Sequence, residues 1–270
     1  MKESPMKKYL MSAAVGDIAG SAYEGRSHRT KDYDAVKLFS SRAHFTDDTV
    51  LTFACAEAFL DGKDMAWNLW KCAHEHPDAG YGSQFKRWLA SHDMQPYGSF
   101  GNGSAMRCSS AGWLAQSEEE CIRLATDTAA PTHNHPEGIK GAVATTLAIY
   151  HLKNGCGKEE IKEKVLAKYY PEWSGRSYAD IHPGYTFNST SPGTVVPAII
   201  CFLDSTDYVD CIKKAVALGG DADTLAAIAG PMAYAFYHEM PDSLVYAALK
   251  KLPDWMVAVS ERFDKRVNVN

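Results

Sequence analysis

Residues 45–60 read F-T-D-D-T-V-L-T-F-A-C-A-E-A-F-L. Val50, Phe53, Ala54, Glu57 and Ala58 recur at three- and four-residue steps, and of these only Glu57 is not apolar. That period belongs to an α-helix, and a helix this apolar is destined for a core. Its start sets two adjacent carboxylates, Asp47 and Asp48, between Thr46 and Thr49. Thr and Asp are good N-caps, and a carboxylate near the positive end of a helix gains about 0.3–1 kcal/mol. One cap satisfies that need. Two side-by-side carboxylates at the mouth of a buried helix ask for a further reason.

The rest of the chain carries the same helical period. Helices are expected at 137–153, led by Pro136 in the first turn and closed by Asn154-Gly155. Others are expected at 159–170 on the surface, at 195–203 with Pro197 in the first turn, and at 207–218, 224–237 and 242–252. No alternating β runs and no βαβ rhythm interrupt them. The expected fold is all-α, a compact multi-helix bundle in a single domain over 1–270 with its core at about residues 8–252. Three segments resist helix: 27–44, 91–107 and 170–192. Long loops in a compact domain are often functional, so these are expected to line a site.

Composition narrows the function. Net charge is −5 and Lys and Arg form no block, which argues against a general nucleic-acid surface. An anionic ligand would have to be met locally, by backbone donors or metal ions. The seven Cys are scattered without a C-x-x-C pair, so neither a disulfide framework nor a zinc site is expected. Cys55 and Cys201 read as small core residues. The N-terminal basic and apolar run is too short for a signal-peptide core, and no stretch approaches a membrane span. A cytoplasmic monomer is the expectation.

Four further motifs bear on chemistry. In A-L-G-G-D-A-D-T-L-A-A-I-A-G, residues 217–230, Asp221 and Asp223 precede Thr224 and another apolar helix. The chain therefore twice writes two carboxylates and a Thr onto a buried helix start. Carboxylates converging in a core repel, and unpaired buried charge is costly. A divalent cation removes the difficulty, and an all-oxygen ligand set suits Mg²⁺, Mn²⁺ or Ca²⁺ rather than zinc. The second motif, S-F-G-N-G-S-A-M-R at 99–107, exposes backbone N–H groups to a ligand such as phosphate, yet it is neither a Walker loop nor a Rossmann fingerprint. In the third, V-G-D-I-A-G-S-A-Y-E-G-R at 15–26, Gly16 and Gly20 could admit a closely packed helix, and Asp17 and Glu24 share a face. Asp17 reads as a satisfied packing residue. The fourth, P-T-H-N-H-P at 131–136, holds two His between prolines at a helix start.

Taken in order, G-D-I-A-G at 16–20, Y-E at 23–24, F-T-D-D-T at 45–49, G-N-G-S-A-M-R at 101–107, T-H at 132–133 and G-G-D-A-D-T at 219–224 resemble the ADP-ribosylglycohydrolase family. Each is short; six in the right order are specific together, and the resemblance covers the chain from about residue 8 to residue 252. The resemblance implies an orthogonal all-α bundle with two Mg²⁺ or Mn²⁺ ions in a cleft. It implies metal ligands at Thr46, Asp47, Asp48, Asp221, Asp223 and Thr224. It implies a diphosphate loop of Gly101, Asn102, Gly103, Ser104 and Met106, an aromatic near adenine at Phe100, and a ligand-contacting His133.

Hydrolysis of the bond between ADP-ribose and an acceptor is the implied activity, with an ADP-ribosylated protein side chain, arginine first, as substrate. Catalytic candidates are Asp48 first, then Asp47 and Glu24, and the sequence does not choose between Asp48, Asp223 and Glu24 as the base; Glu24 matches a residue on a mobile loop in some members. The rival readings are an ADP-ribose-binding protein without activity and a hydrolase of another ADP-ribosyl conjugate. Members that lost activity tend to lose metal carboxylates, whereas all four Asp and Glu24 are present here. Ser191-Pro192 stands where many bacterial relatives have Cys-Gln, in a segment expected to form a variable wall, and Asp93 aligns only weakly with an acidic residue used by some members. Both leave the acceptor open.

Overall fold

The computed structural model describes residues 8–269; the basic N-terminal residues Lys2 and Lys7 lie outside them. Among the described residues there are fifteen α-helices. They are α1 (Met11–Glu24), α2 (Asp47–Asp61), α3 (Met65–Glu75), α4 (Ser83–Ser91), α5 (Gly103–Met106), α6 (Ser109–Leu114), α7 (Glu118–Ala129) and α8 (Pro136–Lys153). Then follow α9 (Lys158–Ile161), α10 (Tyr178–Ile181), α11 (Ser191–Asp204), α12 (Tyr208–Ala217), α13 (Ala222–Tyr237), α14 (Asp242–Leu249) and α15 (Asp254–Val269). The described residues form no strand, only an isolated antiparallel bridge between Gly101 and Thr190. Among the described residues no helix is long and apolar enough to cross a membrane.

The centre of the bundle is the pair α1 and α13, which run against each other with almost nothing between their backbones. A Cβ on Gly16 would lie 2.2 Å from the carbonyl oxygen of Ala226, and one on Gly20 would lie 2.4 Å from that of Ala222. Any side chain at either position would force the helices apart. Around this seam the apolar faces of α2, α8, α11 and α12 close one continuous core. Val50, Phe53, Ala54 and Cys55 of α2 are fully buried, as is Cys201 of α11.

Three segments differ from the expectation. Pro197 sits inside α11, not in its first turn, because Thr190 caps the helix earlier by accepting from the Gly193 N–H at 3.2 Å. A proline leaves the carbonyl four residues back without its helical donor. Here that carbonyl, on Gly193, accepts instead from the Tyr185 hydroxyl at 2.9 Å.

The expected surface helix at 159–170 is α9 followed by a π-helical stretch, Lys162–Ala167. Its many charges hide a stripe of Ile161, Val165, Leu166 and Tyr170 that is buried. The core also continues past residue 252. Met256, Val259 and Phe263 of α15 are buried, α15 packs on α2, and Arg262 pairs with Asp61.

Candidate active site

α2 begins where Thr46 caps it, its hydroxyl accepting from the Asp48 N–H at 3.3 Å. The Asp47 N–H is held by the carbonyl of Ala79 at 2.7 Å. α13 begins with Asp221 at its cap position. The seam between α1 and α13, with α2 lying across α1, brings these two starts together. The Thr224 hydroxyl donates to Asp48 Oδ2 at 3.3 Å. Carboxylate oxygens of Asp17, Asp48 and Asp223 lie within 4.8 Å of one another, and so do those of Glu24, Asp221 and Asp223. Asp17, Asp48, Asp221 and Asp223 are buried, whereas Glu24, at the end of α1, is exposed.

Asp17 does more than the packing role read from the sequence. Its carboxylate accepts from the Thr46 N–H at 2.8 Å, the Thr46 hydroxyl at 2.7 Å, the Thr49 N–H at 3.1 Å and the Thr49 hydroxyl. It fixes the first turn of α2 to α1, and with it the direction of Asp48. The visible signal was its place between Gly16 and Gly20, since a polar residue on a close-packed seam must find its partners in the neighbouring helix.

Burial dominates the electrostatics. It pushes Asp48 and Asp223 well above the usual carboxylate range, with Asp17, Asp47 and Asp221 adding to Asp48, and Asp221 and Asp48 to Asp223. Burial also raises Asp17, and raises Asp221 against a hydrogen bond from Asn102. Asp47 is pushed up to about 8 by burial and then by Asp17 and Asp221. Among the described residues no Lys or Arg forms an ion pair with any of them. Asp48 Oδ1 is buried with no hydrogen-bond partner. An all-oxygen set with mutual repulsion and an orphaned oxygen fits a hard divalent cation.

A cleft of about 370 Å³ runs from these carboxylates to the glycine loop. The loop is pinned to the segment before α11. The Asn102 N–H donates to the Ser189 carbonyl at 2.9 Å, and the Ser191 N–H to that of Phe100 at 2.8 Å. Asn102 joins the two ends, its Nδ2 donating to Asp221 Oδ2 at 2.7 Å. His133 faces the loop, and a Cβ on Gly103 would lie 2.9 Å from its Nε2.

The cleft wall thus unites Glu24, Asp47, Asp48, Asp221, Asp223 and Thr224 with Gly101, Asn102, Gly103, Met106 and His133. Thr46, Ser104 and Phe100 do not line it. Thr46 turns to Asp17, Ser104 donates to the Gly138 carbonyl at 2.7 Å, and Phe100 is 51% exposed beside the His135 ring. Tyr97 and Phe187 also line the cleft; both lie in the segments expected to line a site. Asp93 is exposed and borders a separate groove with Arg87 and Gln95.

The family description that fits this chain is ADP-ribosylglycohydrolase, matched over residues 3–269. The chain belongs to the ADP-ribosylglycohydrolase family. Membership makes it a hydrolase, and the all-α bundle is the fold of that family. It is 26% identical to human ADP-ribosylhydrolase ARH3, over 87% of this chain and 86% of the relative. It is 27% identical to the ADP-ribosyl-[dinitrogen reductase] glycohydrolase of Rhodospirillum rubrum, over 84% of each. A solved structure described as an ADP-ribosylglycohydrolase-related protein complex superposes with a TM-score of 0.70 over 96% of both chains at 22% identity, a likeness of fold.

Proposed function

We propose that this chain hydrolyses the glycosidic bond between ADP-ribose and an acceptor and releases free ADP-ribose, with the arginine side chain as the first acceptor to test. The observation that carries the reading is the junction of the two acidic helix starts, Asp48 against Thr224, in the same cleft as the glycine loop and His133. Four buried carboxylates without a cationic partner are costly to a fold that does not use them.

Thr46, Asp47, Asp48, Asp221, Asp223 and Thr224 would hold two divalent ions, Mg²⁺ or Mn²⁺. When bound, such ions cancel the carboxylate repulsion and supply Lewis-acid polarisation. The chain's own groups do the rest. Gly101, Asn102, Gly103 and Met106, with His133, take the diphosphate; the backbone of Ser104 follows the loop, and Phe100 stands beside the adenine. This fixes the anomeric carbon of the distal ribose over the acidic end. Water adds to that carbon as the bond to the acceptor breaks; a carboxylate takes the water's proton, and the acceptor departs with the bonding electrons and takes up a proton from that carboxyl or from solvent.

Asp48 is the first choice, because it stands at the junction of the two acidic helix starts, where Thr224 donates to its Oδ2. Glu24, exposed where α1 gives way to the irregular segment 25–46, and Asp47 are the other candidates. A cytoplasmic monomer belongs to the same reading.

The test is release of ADP-ribose from an ADP-ribosyl-arginine peptide and an ADP-ribosyl-serine peptide, each with Mg²⁺, with Mn²⁺ and with EDTA. The D47A/D48A double variant runs beside the wild type. Metal-dependent release that the double variant lacks supports the reading, and the preferred peptide names the acceptor. Binding of ADP-ribose without release from either peptide overturns protein hydrolysis and favours a reader or another conjugate.

A further inference from the structure

Behind the glycine loop lies a buried cation with no carboxylate to meet it. Arg107 is fully buried. Its Nε and Nη2 donate to the Thr128 carbonyl at 3.0 and 2.8 Å, and Nη2 donates to the Thr132 hydroxyl at 2.7 Å. Nη1 has no hydrogen-bond partner, and the residue borders the cleft. The Thr132 hydroxyl, itself fully buried, also lies 2.7 Å from His133 Nδ1.

Donor and acceptor counting settles the direction of this contact. A guanidinium can only donate, so Thr132 Oγ1 accepts from Arg107. The remaining hydroxyl proton needs an acceptor, and His133 Nδ1 is the only one within hydrogen-bond reach among the described residues. With the opposite tautomer, an Nδ1–H would donate to Oγ1 and leave a fully buried hydroxyl proton without a partner, an arrangement native cores avoid.

We propose that Arg107 and Thr132 are positioning residues that lock His133 as the tautomer with a bare Nδ1 and a protonated Nε2, so that Nε2–H is a fixed donor to an anionic oxygen lying over Gly101 and Gly103. Chains of hydrogen bonds polarise one another. The guanidinium draws density from the Thr132 oxygen, the hydroxyl becomes a better donor to Nδ1, and Nε2–H becomes a better donor to the ligand. The charge of Arg107 thus reaches the anion through Thr132 and His133.

Nε2 is free to donate in this way. No hydrogen bond occupies it among the described residues, and it is 3.6 Å from the position of a Cβ on Gly101. The surroundings keep the ring neutral. Burial, and then the Arg107 charge, hold His133 well below the usual histidine range. The titratable ring beside it among the described residues is Tyr97, whose centroid lies 6.2 Å away and whose hydroxyl is itself raised to about 12 by burial. His133 on this account binds and does not shuttle protons. The identity of the anion, the diphosphate of ADP-ribose, rests on the function proposed above; the tautomer does not.

Two measurements on the full chain separate these. Long-range proton–nitrogen NMR of ¹⁵N-His-labelled protein reads the tautomer without ligand. The expected pattern is a bare Nδ1 and a protonated Nε2 that persists between about pH 5.5 and 8. An Nδ1–H ring, or an imidazolium appearing in that range, overturns the proposal. Calorimetric titration with ADP-ribose reads the consequence. Thr132→Val should weaken binding roughly tenfold, the order of one good hydrogen bond, and release the fixed tautomer, while Thr132→Ser should restore both. Thr132→Val with unchanged tautomer and affinity also overturns it. The locked tautomer in a protein that binds no ADP-ribose would sink the functional reading and leave the relay supported.

Discussion

At one end of the cleft, Asp17, Asp48 and Asp223 bring carboxylate oxygens within 4.8 Å of one another, with no Lys or Arg paired to them. At the other, His133 faces Gly103, and the fully buried Arg107 stands behind it without a carboxylate. The first end is held in place but left electrically unfinished, and it needs something positive to complete it. The second has its backbone and side-chain partners in place and an excess of positive charge, so it is ready for an anion. Perturbing the acidic end should therefore change both chemistry and stability. Perturbing the glycine end should change affinity first.

The largest effect is expected at Asp48. Asp48→Asn should lower ADP-ribose release by roughly 10²–10⁴-fold, the range for loss of a proton-transfer group. Retention of near-wild-type release, with metal still bound, would remove Asp48 as first candidate. Gly20→Val tests the seam that brings the acidic starts together, since its Cβ meets backbone rather than a side chain that could move. It should cost about 3 kcal/mol and lower the melting temperature by about 10 °C. A calorimetric scan matching the wild type would break the claim that the seam sets the site.

pH offers the third test. The buried acidic carboxylates have pKa values raised above the ordinary ~4 of the unfolded chain. The folded state then binds more protons than the unfolded one between those values, and stability falls as pH rises through that window, which for Asp47 extends to about 8. In EDTA the melting temperature should drop by roughly 5 °C between about pH 5 and 8. Mg²⁺ or Mn²⁺ should restore it most at the higher pH. A melting temperature that ignores both pH and metal would show that the acidic end is already complete.

At the glycine end, Gly103→Ala would set a methyl 2.9 Å from His133 Nε2. It should weaken ADP-ribose binding by roughly tenfold, again about one hydrogen bond, with little change in melting temperature. Ser104→Ala is the mildest. Its hydroxyl points to the Gly138 carbonyl, so about 1 kcal/mol of stability should be lost while ADP-ribose affinity, read by the same titration, holds. A large loss of affinity would put the hydroxyl on the ligand.

Much of this was legible in the chain. The helices at 136–153 and 208–217 carry an apolar period and clear end signals, and the repeat of paired carboxylates before Thr marked both acidic starts. What stayed hidden depends on partners far away in sequence. Asp17 meets Thr46 and Thr49, and Arg107 meets Thr132, through tertiary packing that no local pattern records. Pro197 was misplaced because the donor that replaces its lost helical bond, Tyr185, belongs to another segment. The buried stripe of 161–170 was masked by the charges interleaved with it. The hydroxyl of Ser104 reads like its neighbours in the glycine loop until the turn of α5 directs it inward.

Gly16, Gly20 and Asp17 together have a metrological consequence. α13 rests directly on the backbone of α1, and the first turn of α2 is bolted to α1 through one carboxylate. Both acidic helix starts are thus gauged from the same short rod, as the jaws of a caliper are gauged from its beam. Side-chain rotation can adjust the tips of the jaws but not the opening between them. The chain sets that opening in its main-chain atoms, where no single surface substitution can reset it.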